Sequence, residues 1–361
     1  MLCRDKCCPV YPGVRRLREI LDMQQKLLPD LLDVLKTRYN VLHHVMLMGT
    51  VGRRSLAKSL NMTERVLRTE VEFLRAQGLL QMYAAGMILT DSGKRLLAEL
   101  EPVIQELLGI SEMQEQLRRQ FELREVHIVP GDADHSEFSK RELCRAGAQA
   151  LRNAVRKDDV IAVTGGSTMA GLAEFLMPAP NMRGNRYVPA RGGLGEAVEL
   201  QANSIASTMA KRTGGHYKLL HVPDHLSEDA YLSLIDEPHI QDVLNVIRMA
   251  RVVVHGIGDA IVMAERRKLS YDDMHRLHHD GALAEAFGYY FDQQGKVIHH
   301  MPTVGLRLQD IQSTEVVIAV AGGRSKAQAI ASIMRFGQTD VLVTDEAAAT
   351  AMLESIHKQS P

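Results

Sequence analysis

From about residue 124 onward the chain carries six short apolar runs rich in Val and Ile: "VIAVTGG", "RYVPARGG", "KLLHVP", "VVVHGIG", "VVIAVAGG" and "VLVTDE", separated by stretches with helical spacing. Runs that lack a polar face have to be covered on both sides, which a parallel sheet sandwiched between helices provides. The pattern therefore predicts an α/β fold with a doubly wound, mostly parallel sheet. Four of the six runs end in glycines, at what would be the carboxyl ends of strands. In open α/β sheets that edge is where ligands bind.

The glycine loops suggest the ligand. In "VTGGSTMAGL" the strand runs into Gly165, Gly166, Ser167 and Thr168 and then at once into a helix. Glycines permit close backbone approach, and the free N–H groups of a helix start attract an anion. "VVIAVAGGRSKAQAI" repeats the plan with Gly322, Gly323, Ser325 and Lys326, whose ammonium can meet a phosphate. Arg191, in "PARGGLGEAVELQANS", can grip a phosphate bidentately, and "GIGDAIVMAERRKLS" brings Arg266 and Arg267 behind Gly256 and Gly258. Together the loops point to a phosphorylated ligand, and their number leaves room for one with two phosphates. There is no G-x4-G-K-[ST], which argues against an NTPase P-loop, and "GIGDAI" lacks the third glycine of a dinucleotide fingerprint.

The N-terminal part has another character. Residues 1–95 hold 16 Lys and Arg against 9 Asp and Glu, whereas the rest of the chain holds 27 against 35. A basic module joined to an acidic one suggests nucleic-acid contact at one end. "LPDLLDVLKTRYNVLHHVMLM" reads as a helix with Leu31, Leu32, Leu35, Tyr39 and Leu42 on one side, stopped by Gly49 and Gly52. A short helix over Ser55–Leu60, a turn at Asn61-Met62 and a second helix capped by Thr63 and ending at Gly78 form a helix-turn-helix. Val66, Leu67, Val71, Phe73 and Leu74 are expected to supply its apolar contacts. That leaves Thr63, Glu64, Arg65, Arg68 and Thr69 to face base edges, with Arg53, Arg54 and Lys58 on phosphates. "LLQMYAAGMILT" follows as two short strands about Ala85-Gly86, the wing of a winged helix. With no Trp in the chain, duplex DNA is the expected partner rather than single strands.

The expected domains are a flexible, basic, Cys-containing tail at 1–24, a winged helix-turn-helix at 25–95, a helical connector at 96–123 and a ligand-binding domain at 124–361. Leu96, Leu100, Val103, Leu107, Ile110, Leu117 and Phe121 follow heptad spacing, so the connector is expected to make the protein self-associate as a dimer. Pro102 should kink or restart that helix and Gly109 weaken it. Cys3, Cys7 and Cys8 are expected to be reduced thiols in the tail, and Met23 is a candidate natural start. His275, His278 and His279, like the pairs His43-His44 and His299-His300, read as solvated faces, and no metal site is expected. No signal-peptide core or apolar run long enough to span a membrane is visible, so the expected location is the cytoplasm.

"VTGGST", "VPARGGLGE", "VVHGIG", "EAFGYYF", "IAVAGG" and "VLVTDEAAA" closely resemble the SorC-type sugar-responsive repressors that control central glycolytic genes, from about Gln25 to the C-terminus. The resemblance implies a winged-helix domain joined to an effector domain similar in fold to phosphosugar isomerases and deaminases. It also implies binding of fructose 1,6-bisphosphate, which weakens operator binding, possible tetramers on DNA, and no cofactor. Carried over by motif, Gly165, Gly166, Ser167 and Thr168 hold one phosphate with Lys326 nearby, and Arg191, Gln201, Arg266, Arg267 and Glu285 make further effector contacts. Ser167 stands where the family has Thr, and Arg324 where it has Ser. The alternative is a phosphosugar isomerase or deaminase with Glu285 or Asp259 as base, for which a basic reader domain has no use.

Overall fold

The computed structural model describes residues 27, 29–193, 197–223 and 228–359. The tail with its three cysteines and Met23 lies outside the described residues. Two compact units meet in sequence between Glu112 and Met113.

The first unit begins with α1 (Pro29–Met48), ended by Gly49 at φ +70°. Helices α2 (Arg53–Ser59) and α3 (Glu64–Ala76) follow, then strands β1 (Leu80–Tyr83) and β2 (Gly86–Leu89), then α4 (Asp91–Leu107). The Thr63 hydroxyl accepts from Val66 N at 3.4 Å and so caps α3. β1 and β2 pair antiparallel, and Val51 adds a third rung by exchanging backbone hydrogen bonds with Met87 at 2.9 and 3.2 Å. A Cβ on Gly86 would lie 2.6 Å from Val51 O, so this hairpin requires glycine there. Tyr39, Leu42, Leu56, Leu67, Val71, Leu74 and Met87 form the core.

Several expectations fail here for reasons of helical phase. Leu67, Val71 and Leu74 define the buried stripe of α3, whereas Val66 lies off it at 50% exposure. Phe73 is also exposed, and the Arg38 guanidinium lies 3.6 Å from its ring centre while pairing with Glu70. Leu31 is exposed too. His43 and His44 are buried rather than solvated: His43 packs on the Tyr39 ring and His44 Nδ1 pairs with Asn40 O at 2.9 Å. In α4 the buried residues are Leu97 and Ile104, a register one residue later than Leu96 and Val103. Pro102 is accommodated within α4, and the break comes at Gly109, φ +68°, before α5 (Ile110–Gln120).

Among the described residues the second unit has eleven strands in chain order: β3 (Glu125–Val129), β4 (Val160–Val163), β5 (Arg186–Pro189), β6 (His216–Tyr217), β7 (Val252–His255), β8 (Gly258–Asp259), β9 (Ala284–Ala286), β10 (Tyr289–Phe291), β11 (Val297–His300), β12 (Val316–Val320) and β13 (Val341–Asp345). Seven form a parallel sheet in the order β3-β13-β12-β7-β4-β5-β6. Its helices are α6 (Glu137–Ala154), α7 (Ser167–Phe175), α8 (Ala202–Thr213), α9 (Glu228–Ile235), α10 (Pro238–Arg248), α11 (Ala260–Arg266), α12 (Tyr271–His279), α13 (Leu308–Ser313), α14 (Ala327–Phe336) and α15 (Glu346–Gln359). Leu151, Leu172 and Met209 from α6, α7 and α8 pack on Val163, Val254 and Val320. The alternate residues Ala162, Val253 and Ala319 are also fully buried, so both faces of the central strands are covered.

The run "KLLHVP" is not a strand. The Asn203 side chain holds both backbone groups of Leu220, at 2.9 and 3.0 Å, and draws the chain away after Tyr217. An antiparallel sheet, β11-β10-β9-β8, accompanies the parallel one; its strands of two to four residues carry too little periodicity to show in the sequence. Most important for function, β12, β7 and β4 are neighbours. Three glycine loops far apart in sequence thereby meet along one edge.

Candidate functional site

The loops after β4, β7 and β12 enclose a cleft lined by Gly165, Gly166, Ser167, Thr168, Arg191, Arg266, Arg267, Glu285 and Lys326, together with Thr164, Gly256, Ile257, Gly258, Met263, Ala286 and Phe287. Its first wall is the start of α7. Gly166, at φ +108°, lets the chain turn from strand into helix, and its N–H donates to Leu200 O at 2.8 Å. No side chain caps α7, so its first N–H groups open toward the cleft with the Ser167 and Thr168 hydroxyls beside them. That arrangement favours an anion.

The second wall is a buried ionic cluster. Oε1 of Glu285 accepts from Arg191 Nη1 at 3.0 Å, from Arg267 Nη2 at 2.9 Å and from Gly288 N at 2.7 Å. Burial pushes the Glu285 carboxyl up, but Arg267, Arg191 and the Gly288 N–H outweigh it and hold the group below the usual carboxylate range. Two guanidiniums sharing one carboxylate leave this wall net positive. Tyr290 adds its hydroxyl as acceptor for Arg267 Nη1 at 3.3 Å. Beneath them His255, at the end of β7, is fully enclosed, with burial pushing its imidazole down to about 4. A neutral ring that meets the Gly256 carbonyl through Nδ1 must carry its proton there.

Lys326 supplies the third wall. It is half-buried with no ion pair among the described residues, and burial pushes its ammonium down from the ordinary value. The rest of its loop corrects an expectation. Gly322-Gly323 does not form a second anion cradle, because carboxylates already occupy its donors: Asp345 takes Gly323 N at 2.7 Å, and Asp134 takes Ser325 N at 2.7 Å and Ser325 Oγ at 2.9 Å. Only the Lys326 side chain is offered to the cleft. Arg266 sits exposed at the rim.

Gln201 is the one effector candidate that does not line the cleft; it stands at the start of α8, with Oε1 2.6 Å from where a Cβ on Gly193 would be. Sequence reasoning missed Phe287, which adopts φ +56° in the cleft with its ring 4.7 Å from that of His255. Nothing local in "EAFGYY" announces a left-handed Phe, a conformation that surrounding structure has to impose. The two residues considered as bases are both committed: Glu285 to its arginines, and Asp259 to capping α11 through Val262 N at 3.0 Å. No group of three or more His, Cys, Asp or Glu fit to hold a metal occurs among the described residues.

In the first unit, Arg53, Arg54, Lys58, Thr63, Glu64, Arg65, Arg68 and Thr69 are all exposed across α2 and α3. Their engagement differs. Arg68 pairs with Glu72 at 2.7 Å and Arg54 lies 3.5 Å from Glu64, whereas Arg65 has no ion pair among the described residues. The Thr69 hydroxyl donates to Arg65 O at 3.3 Å.

Comparison with known proteins assigns both units. Residues 34–104 match the CggR N-terminal DNA binding domain, and residues 105–354 match the Sugar-bind family of sugar-binding domains. The central glycolytic genes regulator of Priestia megaterium is 47% identical over 342 residues, 94% of this chain and all of the relative. That of Bacillus subtilis is 43% identical, covering 93% of this chain and 99% of the relative. Among solved structures, one from Enterococcus faecalis assigned to the SorC family of transcriptional regulators shares 42% identity with a TM-score of 0.63, covering 67% of this chain and 99% of that one. The full-length sorbitol operon regulator SorC of Klebsiella pneumoniae, 18% identical with a TM-score of 0.64, covers 84% of this chain and 94% of its own and shares the fold. No described helix is long and apolar enough to cross a membrane.

Proposed function

The chain belongs to the family of central glycolytic genes regulators, SorC-type proteins that join a DNA-binding domain to a sugar-binding one, and on that premise we propose that it is a transcriptional repressor whose hold on double-stranded operator DNA is relieved by fructose 1,6-bisphosphate. One observation carries the choice of effector: a single cleft combines an uncapped helix start with four cationic side chains, Arg191, Arg266, Arg267 and Lys326, against the one carboxylate of Glu285. A ligand with two phosphates matches that excess of positive charge better than one with a single phosphate. Self-association as a dimer would present two copies of α3 to two half-sites; of the heptad positions expected to carry it, Leu96, Leu100, Val103 and Leu107 stay partly exposed, whereas Ile110, Leu117 and Phe121 are buried within the chain.

The effector acts by binding more tightly to the arrangement that holds DNA weakly, and DNA then weakens the effector by the same factor. The coupling expected of such a pair is roughly 1–3 kcal/mol. Isothermal titration of fructose 1,6-bisphosphate into the full-length protein tests the reading, with fructose 6-phosphate as comparison. Preference for the bisphosphate supports it, and equal or absent binding by both overturns the effector assignment.

Two substitution pairs separate the sites. Thr168→Ala and Lys326→Ala are each expected to weaken bisphosphate binding by about 1.5–3 kcal/mol, the range for hydrogen bonds to charged groups, while operator affinity without effector stays unchanged. Arg191 is a poorer probe, because it also holds Glu285. Arg65→Ala or Arg68→Ala is expected to weaken operator binding by about 1–3 kcal/mol if it removes a bidentate base contact, with effector affinity intact. Arg65 should show the larger loss, since Arg68 must first leave Glu72. Electrophoretic mobility shifts at fixed salt measure both, and unchanged affinity at both positions would remove α3 as the reading helix.

A further inference from the structure

Between Glu64 and Glu70, Val66 is the only apolar side chain that is not buried. It is 50% exposed and stands apart from the core of its unit, to which Met62, one turn before it, does contribute. Phe73 further along is exposed as well, but it has a partner in the Arg38 guanidinium. Val66 has no such use inside the unit, and a β-branched residue is a poorer helix former than the Ala, Lys, Arg or Glu that would serve on a solvated face. Helical periodicity sets its surroundings: with Leu67 and Val71 turned to the core, Arg65 and Thr69 lie on the opposite side, Val66 on one flank of that pair and Arg68 on the other. The flanks differ in chemistry. Arg68 is neutralised by Glu72 at 2.7 Å; on the Val66 side the charge one turn further along, Glu70, is paired with Arg38 at 2.9 Å, and the neighbouring Thr69 has its hydroxyl proton engaged by Arg65 O.

We infer that Val66, with the Thr69 methyl group beside it, is a specificity-determining contact that reads the 5-methyl group of a thymine in the major groove of the operator. The argument rests on α3 being the helix that enters the groove. Given that, the chemistry is narrow: base edges in the major groove present donors, acceptors and one apolar group, the thymine methyl. An exposed isopropyl in the first turn of such a helix has that one group to match.

The test uses the full-length protein and duplexes that it selects from a random double-stranded library. Each thymine of the recovered site is replaced in turn by deoxyuridine, which removes the methyl and keeps base pairing. At one position per half-site the wild-type protein is expected to lose about fourfold in affinity, the factor that corresponds to burial of one methyl group. Val66→Ala is expected to bind the thymine duplex about as weakly as wild type binds the deoxyuridine duplex, and to be indifferent to the replacement. Binding of Val66→Ala to an unrelated duplex should match wild type, which shows that the variant is folded. If Val66→Ala keeps full methyl sensitivity at every position, the inference is wrong. Arg65→Ala on the same duplex tells the two failures apart: a loss there with methyl sensitivity independent of Val66 leaves α3 as the reader and removes only Val66, whereas no loss for either variant removes both.

Discussion

Replacement of Glu285 by Ala is expected to destabilise the second unit by about 3–5 kcal/mol, the cost of leaving a buried charge without its partner. The carboxylate is the counter-ion of two guanidiniums that are themselves almost fully enclosed, with side-chain exposures of 7% for Arg191 and 2% for Arg267. It also takes the N–H of Gly288, which lies in the left-handed turn between β9 and β10 at φ +88°. Loss of the carboxylate therefore strands two cations and one backbone donor together. Glu285→Gln retains two polar ends but no charge, and should fall between wild type and Glu285→Ala. Chemical unfolding followed by a signal from the second unit measures both variants. A loss under about 1 kcal/mol for Glu285→Ala, the size of an exposed pair, would mean that water or rearrangement reaches the arginines and that the wall is not preorganised.

The second large effect is a pH dependence. His255 is held neutral by burial, which pushes its imidazole down to about 4 from the ordinary 6.5. The unfolded chain accepts a proton near its ordinary value, and the folded chain accepts it only near 4. The contribution of a neutral His255 is thus fully present above about pH 6.5 and is lost as pH falls from there toward 4. A difference of that size corresponds to about 3 kcal/mol at the acid end. His255→Phe keeps a ring of similar size against Phe287 and cannot titrate, so its stability should fall less steeply between pH 6.5 and 4. Parallel curves for wild type and variant would show that other groups carry the acid sensitivity. His255 ends β7 next to Gly256 and against the Phe287 ring, both of which line the cleft.

Much of this was legible beforehand where the cause is local. Thr63 as cap, Asn61-Met62 as turn and Gly49 as stop depend on residues within one helical turn of the event, and they occur as read. The glycine loop at 165–168 was legible for the same reason, since strand, turn and helix start are contiguous. Lys326, whose ammonium is expected near that loop, lines the same cleft. What could not be read was the occupancy of the second loop. Asp134, which blocks it, comes from 191 residues away in sequence. Nor does anything near Glu285 reveal that Arg191, 94 residues earlier, will be its partner. The misplacement of Val66 has a different origin: an apolar residue next to a core residue looks like core until the phase of the helix is known to within one position.

Hydrophobic periodicity, glycines and caps by themselves determined the classes of the two units, the helix-turn-helix with its hairpin, and the existence of glycine loops at strand ends, because each of these is decided by interactions over a few residues. Only the tertiary structure decided which loops meet, which donors stay open and which charges are paired. The strand order β12-β7-β4 and the Glu285 cluster depend on contacts between segments tens to hundreds of residues apart, and such pairings are selected by the fit of the whole sheet and its covering helices rather than by any stretch of the chain.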